Sequence, residues 1–370
     1  MRVLHIYKTY YPDSYGGVEQ AIRQICFSTQ KLGVTNRILA LSKNPNPAIS
    51  QRTEADVYRF LMNIEIASSG FSLSAFKGYQ TLSKWADVIH YHFPWPFGDI
   101  LHLSAKFKRP SIVTYHSDIV RQKKLLKLYR PLMNKFLTNV DAIIATSPNY
   151  LASSELLQRF HDKTSVIPIG LDESTYPAVK SNCLEMWREK LGDNFFLFVG
   201  VLRYYKGLHI LLEAVQDCKI PVVIMGSGPT EAELKIRAQQ LKLTNIHFLG
   251  SLPEIDKIAL FQLSQAVVFP SHLRAEAFGI SLLEGAMYGK PLISCEIGTG
   301  SSYINAHEVT GLVVPPSDPI SLRKAIEKIN ANSTLRTDMG YKARLRFQQL
   351  FSAEDMAKQY IAIYKKLTGL

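Results

Sequence analysis

Short runs of aliphatic and β-branched residues recur along the chain, each bounded by polar or turn-forming residues and separated by stretches whose apolar positions have helical spacing. In the first half they are RVLHIY (2–7), NRILAL (36–41), DVIHYH (87–92), PSIVTYH (110–116), DAIIAT (141–146) and TSVIPIG (164–170). In the second half they are FFLFVG (195–200), PVVIMG (221–226), NIHFLG (245–250), QAVVFPS (265–271), PLISCE (291–296) and GLVVPP (311–316). Uninterrupted apolar strands alternating with helices predict parallel sheets covered on both faces. Two such series predict an α/β chain of two Rossmann-like, doubly wound domains facing a cleft. The loops after the strands' carboxyl ends are then the candidate ligand sites.

The segment LDESTYPAVKSNCL (171–184) is polar and rich in turn formers, and it reads as the linker. The expected domains are therefore 1–173 and 174–351. A stretch with helical periodicity opens with a capping-box pattern from Ser352 to Asp355, and 352–370 is expected to cross back to the first domain.

A length of 370 residues agrees with two domains, and 46% hydrophobic with 20% charged residues describes a globular, soluble chain. No apolar run approaches the about 18 residues of a spanning helix, and the N-terminus reads as a strand rather than a signal peptide, so a cytoplasmic location is expected. Cys26, Cys183, Cys218 and Cys295 are scattered without metal-ligand spacing and read as reduced thiols. The net charge of +12 calls for an anionic partner. No nucleic-acid module is recognisable, which leaves a membrane surface or a phosphate-bearing ligand.

The segment AEAFGISLLEG (275–285) keeps Glu276 and Glu284 in apolar surroundings. On one continuous helix the two carboxylates would sit about 80° apart and share no face. The alternative puts Glu276 on a loop, turns the chain at Phe278-Gly279 and starts a helix near Ile280 that carries Glu284. Free amides at Gly279, Ile280 and Ser281 then suit a phosphate, with carboxylates beside it for hydroxyls. A dipole-favouring acid and a solvated helix acid would give the same spacing.

Other loops after strands carry chemistry. Gly16-Gly17 precedes a helix and lets amides approach an anion, as an ordinary turn also would. His116 ends the fourth strand and could bond a sugar hydroxyl, shuttle a proton or be purely structural. Arg203 and Lys206 follow the first strand of the second half, where two cations suit a departing diphosphate or form a solvated basic turn.

In this order, the GG loop, DAIIATS, VIPIGLD, FVG with a following KG, FLGSLP, VVFPS and the two glutamates separated by seven residues resemble the retaining family-four glycosyltransferases of GT-B fold, over nearly the whole chain. The resemblance implies that Glu284 holds the ribose of a nucleotide and that Glu276 approaches the donor sugar. It implies further that amides of Phe278, Gly279, Ile280 and Ser281 contact sugar and phosphates, that Gly17 flanks the diphosphate beside Gly16, that Lys206 meets the phosphates and that His116 lies next to the sugar. Members of the family commonly place an arginine directly after the VG pair; here that position is Val201 and the arginine is Arg203.

Base recognition in the family uses the loop after the FLG strand, which makes the Leu252 backbone and Glu254 candidates. A carboxylate can accept from both N1 and N2 of guanine, whereas uracil offers one ring N–H, so a GDP sugar is expected. No Asp-x-Asp occurs in the chain, so a metal-independent transfer with no cofactor is expected, and the resemblance implies front-face attack in which the leaving phosphate takes the acceptor's proton.

The stretch 121–139 interleaves Lys123, Lys124, Lys127 and Arg130 with leucines, as in a helix on an anionic membrane surface, although a packed core helix with snorkelling lysines has the same pattern. The aromatic segment 90–99, with Phe93, Trp95 and Phe97, could stack on an acceptor or plug the domain edge. The resulting expectation is a peripheral enzyme at the inner face of the cytoplasmic membrane, moving mannose from GDP-mannose to a lipid-linked or glycan acceptor in surface-polysaccharide assembly. A UDP-sugar transferase, a nucleotide-sugar epimerase and a non-catalytic binder of anionic glycans or lipids are the alternatives.

Overall fold

A computed structural model describes residues 1–119 and 123–369, without the side chains of Lys123 and Lys124. The chain divides into two compact units, Met1–Gly170 with Ser352–Leu370, and Leu171–Phe351. The divide falls slightly before the expected 173. The helix Ser181–Leu191 absorbs the tail of the segment read as linker, burying Trp187, whose indole N–H donates to Asp256 at 2.8 Å.

The first unit contains β1 (Arg2–Ile6), β2 (Thr35–Ser42), β3 (Ile49–Gln51), β4 (Asp56–Leu61), β5 (Ile64–Ile66), β6 (Ser69–Phe71), β7 (Val88–Phe93), β8 (Ser111–Tyr115), β9 (Ala142–Ala145) and β10 (Thr164–Val166). Its main sheet runs β10-β9-β8-β7-β1-β2-β4-β3, while β5 and β6 form a separate ribbon. Among the described residues, β3 alone in the main sheet is antiparallel to its neighbour.

The second unit holds β11 (Phe196–Val199), β12 (Val222–Met225), β13 (Ile246–Gly250), β14 (Ala266–Phe269), β15 (Leu292–Cys295) and β16 (Gly311–Val314), all parallel, in the order β13-β12-β11-β14-β15-β16. Counted from its own first strand this is the 3-2-1-4-5-6 order of a dinucleotide-binding fold. Strand order reverses between β11 and β14 here, and between β1 and β7 in the first unit. Loops diverge at such points, which opens a crevice at the strands' carboxyl ends.

Alternating side chains explain the layers. Phe196, Phe198, Val222, Ile224, Val268 and Ile293 pack with Leu211, Leu212, Ile326 and Ile329 from the helices Leu208–Ala214 and Pro319–Ala331. On the first unit, Met356, Tyr360 and Tyr364 of the C-terminal helix Ala353–Thr368 join Val3, Ile25, Val88, Ile112 and Ile144 in one core. That helix is capped as its sequence predicts, with Ser352 Oγ accepting from the Asp355 amide at 3.4 Å.

The twelve predicted strands are present, with β10 stopping at Val166 because Pro168 has no N–H to continue the ladder. The sequence pattern does not mark β3, β4 or the β5–β6 ribbon. In β4 the inward position carries Arg59, which looks unlike a core residue; its guanidinium is neutralised by Asp13, with Nε–Oδ2 and Nη2–Oδ1 both at 2.8 Å. The aromatic segment takes the second of its two readings and plugs the domain edge. Phe93, Trp95 and Phe97 are buried, and Trp95 Nε1 donates to the Gly70 carbonyl at 3.1 Å. These rings seal the sheet against β6 and offer no open face to an acceptor.

Gly207 shows how tightly the loops at the reversal point meet. Its φ is +70°, and a Cβ there would lie 2.0 Å from the Pro270 carbonyl oxygen. Gly207→Ala is therefore expected to cost roughly 2 kcal/mol or more of unfolding free energy, read from urea denaturation; an unchanged midpoint would contradict the close approach.

Candidate active site

The loop after β14 turns at Gly279, whose φ of +99° suits glycine, and the helix Ile280–Met287 begins immediately after it. The first intrahelical bond runs from the Leu283 amide to the Gly279 carbonyl at 3.0 Å. The amides of Ile280, Ser281 and Leu282 precede it and have no partner within the helix. Phe278 is buried, its ring edge-on to Phe351 at 6.1 Å. Glu276 thus sits on the loop and Glu284 on the helix.

Each acid has its own lysine. The short turn Tyr204–Lys206 after β11 sends Lys206 Nζ to hydrogen-bond Glu276, which also accepts from Ser271 Oγ at 3.3 Å. Both side chains are about nine-tenths buried, at 11% and 10% exposure. Burial alone would push the Lys206 pKa down, but the charge and hydrogen bond of Glu276 outweigh it, and the ammonium is held above its usual range. Arg203 is exposed just before this turn. Lys206 and Glu276 come from the two loops that flank the sheet reversal.

Glu284, 3% exposed, accepts from Lys257 Nζ at 2.7 Å and from the Tyr176 hydroxyl at 3.1 Å. Lys257 Nζ also lies 3.7 Å from Glu254, which is exposed at the start of the helix Glu254–Leu263; Leu252 is half-buried just before it. One cation therefore joins the acid expected at the ribose to the acid expected at the base. Sequence reasoning missed Lys257 and Tyr176. The three-residue step from Glu254 to Lys257 on a helix was a usable signal, whereas nothing local marks Tyr176.

The remaining predicted residues lie in the first unit. Gly16 is the N-cap of the helix Gly17–Lys31 and provides no side-chain cap, while Glu19 in the first turn is buried and accepts from Thr9 Oγ1 at 2.8 Å. His116 is 5% exposed and ends a row of buried histidines: its Nε2 is 3.0 Å from His92 Nδ1, and His92 Nε2 is 3.1 Å from His5 Nδ1. Burial pushes His116 down to about 3 and His5 to about 4, and lowers His90 and His92 as well. His116 is thus neutral near neutral pH. A neutral imidazole has one hydrogen to donate and one lone pair to accept with.

The basic helix spans Lys123–Asn139. The side chains of Lys123 and Lys124, and residues 121 and 122, lie outside the described residues. Met133, Phe136 and Leu137 are buried, so the second half of the helix is core. Leu125 and Leu128 are exposed at 47% and 80%, and Lys127 and Arg130 are exposed with them.

Two family models divide the chain much as the fold does: Glycosyltransferase Family 4 over residues 15–175 and Glycosyl transferases group 1 over residues 184–346. The chain is 56% identical over 353 residues to D-rhamnosyltransferase WbpZ of Pseudomonas aeruginosa, covering 95% of this chain and 93% of that one. It is 49% identical over 367 residues to O-antigen chain mannosyltransferase C of Escherichia coli, covering 99% of both. Among solved structures, sucrose-phosphate synthase from Thermosynechococcus elongatus superposes with a TM-score of 0.81 at 22% identity, over 100% of this chain and 99% of that one. Anabaena Alr3699/HepE in complex with UDP and glucose superposes at 0.78 and 19%, with the same coverage. The chain belongs to the family-four glycosyltransferases and has the GT-B fold.

Two outcomes follow from the charges. Lys206→Met strands a buried carboxylate and is expected to cost about 3 kcal/mol in urea denaturation, most of which Glu276→Gln should restore in the double variant. The buried histidines make stability depend on acid. Their folded pKa values lie below the unfolded value of 6.5, so the unfolded chain takes up protons first and stability falls as pH drops from about 6.5 toward 4. Each contributes up to about 1.4 kcal/mol per pH unit; a flat urea midpoint across that window would contradict neutral burial.

Proposed function

We propose that the protein transfers mannose from GDP-mannose, with retention of configuration, to a lipid-linked or glycan acceptor during assembly of a surface polysaccharide such as an O-antigen. The observation that carries the reading is the pair of acids set about a helix N-terminus, Glu276 held by the buried Lys206 and Glu284 by the half-buried Lys257, because a nucleotide sugar presents hydroxyls on both sides of a diphosphate. The similarity to O-antigen chain mannosyltransferase C supports the sugar and the class of pathway.

In this reading the amides of Ile280 and Ser281 receive the diphosphate, with Lys206 and Arg203 as its counter-charges. Glu284 takes the ribose hydroxyls and Glu254 the two guanine donors. Glu276 orients the sugar and holds Lys206. The bond from the sugar's anomeric carbon to phosphate breaks as the acceptor oxygen bonds on the same face, and the acceptor's proton passes to the leaving phosphate oxygen. The two cations and the helix end supply the charge that a metal would otherwise provide, in a chain without Asp-x-Asp.

A second sugar is favoured by the similarity to D-rhamnosyltransferase WbpZ. D-Rhamnose is the 6-deoxy form of D-mannose, so the two relatives' names share one ring configuration and differ at carbon six. For the acceptor side, exposed Leu125 and Leu128 beside Lys127 and Arg130 support a contact with an anionic bilayer at the inner face of the cytoplasmic membrane. No helix among the described residues is long and apolar enough to cross one.

Calorimetry with GDP, UDP and ADP in the presence of EDTA tests the nucleotide. GDP alone is expected to bind, and Glu284→Ala to weaken it about tenfold or more. Selective UDP binding would replace the donor, and binding of none would leave an anionic-glycan or lipid binder. Transfer from GDP-mannose and from GDP-D-rhamnose then decides the sugar, while turnover of donor without acceptor would point to an epimerase. In vesicle flotation, Lys127→Glu with Arg130→Glu is expected to abolish binding to anionic but not neutral lipid; unchanged binding would remove the membrane contact.

A further inference from the structure

The histidine row lies across four neighbouring strands, from Asn36 on β2 through His5 on β1 and His92 on β7 to His116 just after β8. Its first member has a fixed orientation. Asn36 Nδ2 donates to the Cys26 carbonyl at 2.8 Å and to Thr29 Oγ1 at 3.2 Å, and the Thr29 hydroxyl is itself spent on the Ile25 carbonyl at 2.7 Å. Turning the amide over would press Oδ1 against the Cys26 carbonyl oxygen. Oδ1 therefore faces His5 Nε2, at 3.3 Å, and that nitrogen must carry hydrogen.

A neutral imidazole has one N–H and one lone pair, so each ring passes the constraint on. His5 Nδ1 is bare and accepts from His92 Nε2–H; His92 Nδ1 is bare and accepts from His116 Nε2–H. The lone pair at the end of the row falls on His116 Nδ1. We propose that Asn36, His5 and His92 form a relay that locks His116 as the tautomer protonated on Nε2, presenting Nδ1 as a hydrogen-bond acceptor to a sugar hydroxyl. The contact with sugar rests on the glycosyltransferase reading above; the tautomer does not. His5 and His92 are positioning residues in this account.

His90 braces the row without joining it. Its ring stacks on His92 at 4.4 Å and tilts against His5 at 4.8 Å, with Nε2 bonded to Thr114 Oγ1 at 2.7 Å and Nδ1 to the Tyr364 hydroxyl at 2.8 Å. The ring nitrogens of His5, His90 and His92 lie within 4.8 Å of one another, as in a metal site. Every one of them already has a hydrogen-bond partner, however, and ligation would break the row.

The test is a long-range proton–nitrogen correlation spectrum of the unaltered, histidine-labelled protein at neutral pH, which separates N–H from bare ring nitrogens. His116 is expected as a single Nε2–H tautomer. In His92→Phe the lock is lost, so His116 should become a tautomer mixture and kcat/KM for the nucleotide sugar should fall about tenfold. His92→Gln, whose amide can donate to His5 and accept from His116, should restore both. A His116 found as Nδ1–H or as imidazolium in the unaltered protein overturns the relay. An unchanged tautomer and rate in His92→Phe does the same. If the unaltered protein has the expected tautomer but transfers no sugar, the donor reading fails and the relay stands.

Discussion

Charge taken out of water has to be matched, and in the second unit that requirement organises the loops around the sheet reversal. A buried carboxylate or ammonium left alone costs several kcal/mol, so the side chains that hold them must come from elements fixed relative to one another. Glu276 on the loop after β14 is matched by Lys206 on the loop after β11, and Glu284 on the following helix by Lys257 from the helix after β13. Each pair ties two elements that are distant in sequence and adjacent at the sheet's carboxyl edge. The close contact of Gly207 with Pro270 lets the two loops come near enough for the first pair to form. The N-terminal end of the helix Ile280–Met287 is thus set between two ion pairs that the fold itself supplies.

The first unit meets the cost of burying polar groups differently. Its inward imidazoles avoid charge and satisfy one another, with Tyr360 and Tyr364 of the C-terminal helix closing the hydroxyl side through Thr114 and His90. Neutral rings in a row have direction, because one acceptor at the end decides where every hydrogen sits. A carboxylate in place of Asn36 would keep that acceptor but add a charge, and the row would no longer be neutral.

The fold was legible because strand and helix periods differ and the strands of both units are continuous apolar runs. The turn at Gly279 was legible too, since a glycine set between an acid and an apolar helix marks a point where the backbone takes a dihedral angle that side chains disfavour. What stayed hidden depended on long-range pairing. β4 carries Arg59 inward, and only Asp13, far away in sequence, makes that tolerable. Tyr176 reaches Glu284 from a segment that reads as linker, and Lys257 acquires its role only once Glu284 is beside it. The histidines were visible one by one, but their row requires three strands in register, and a single strand's pattern cannot reveal it. For the same reason the burial that neutralises His116 could not be read from a residue whose free pKa lies near neutrality.

The C-terminal helix has a consequence for biosynthesis. Residues 171–351 form a contiguous unit with its own core, whereas the first unit is completed by Ala353–Thr368, made after all of them. Domains fold as they emerge from the ribosome when their parts are present. The histidine layer of the first unit therefore gains Tyr360 and Tyr364 only after the whole of residues 171–351 has been synthesised.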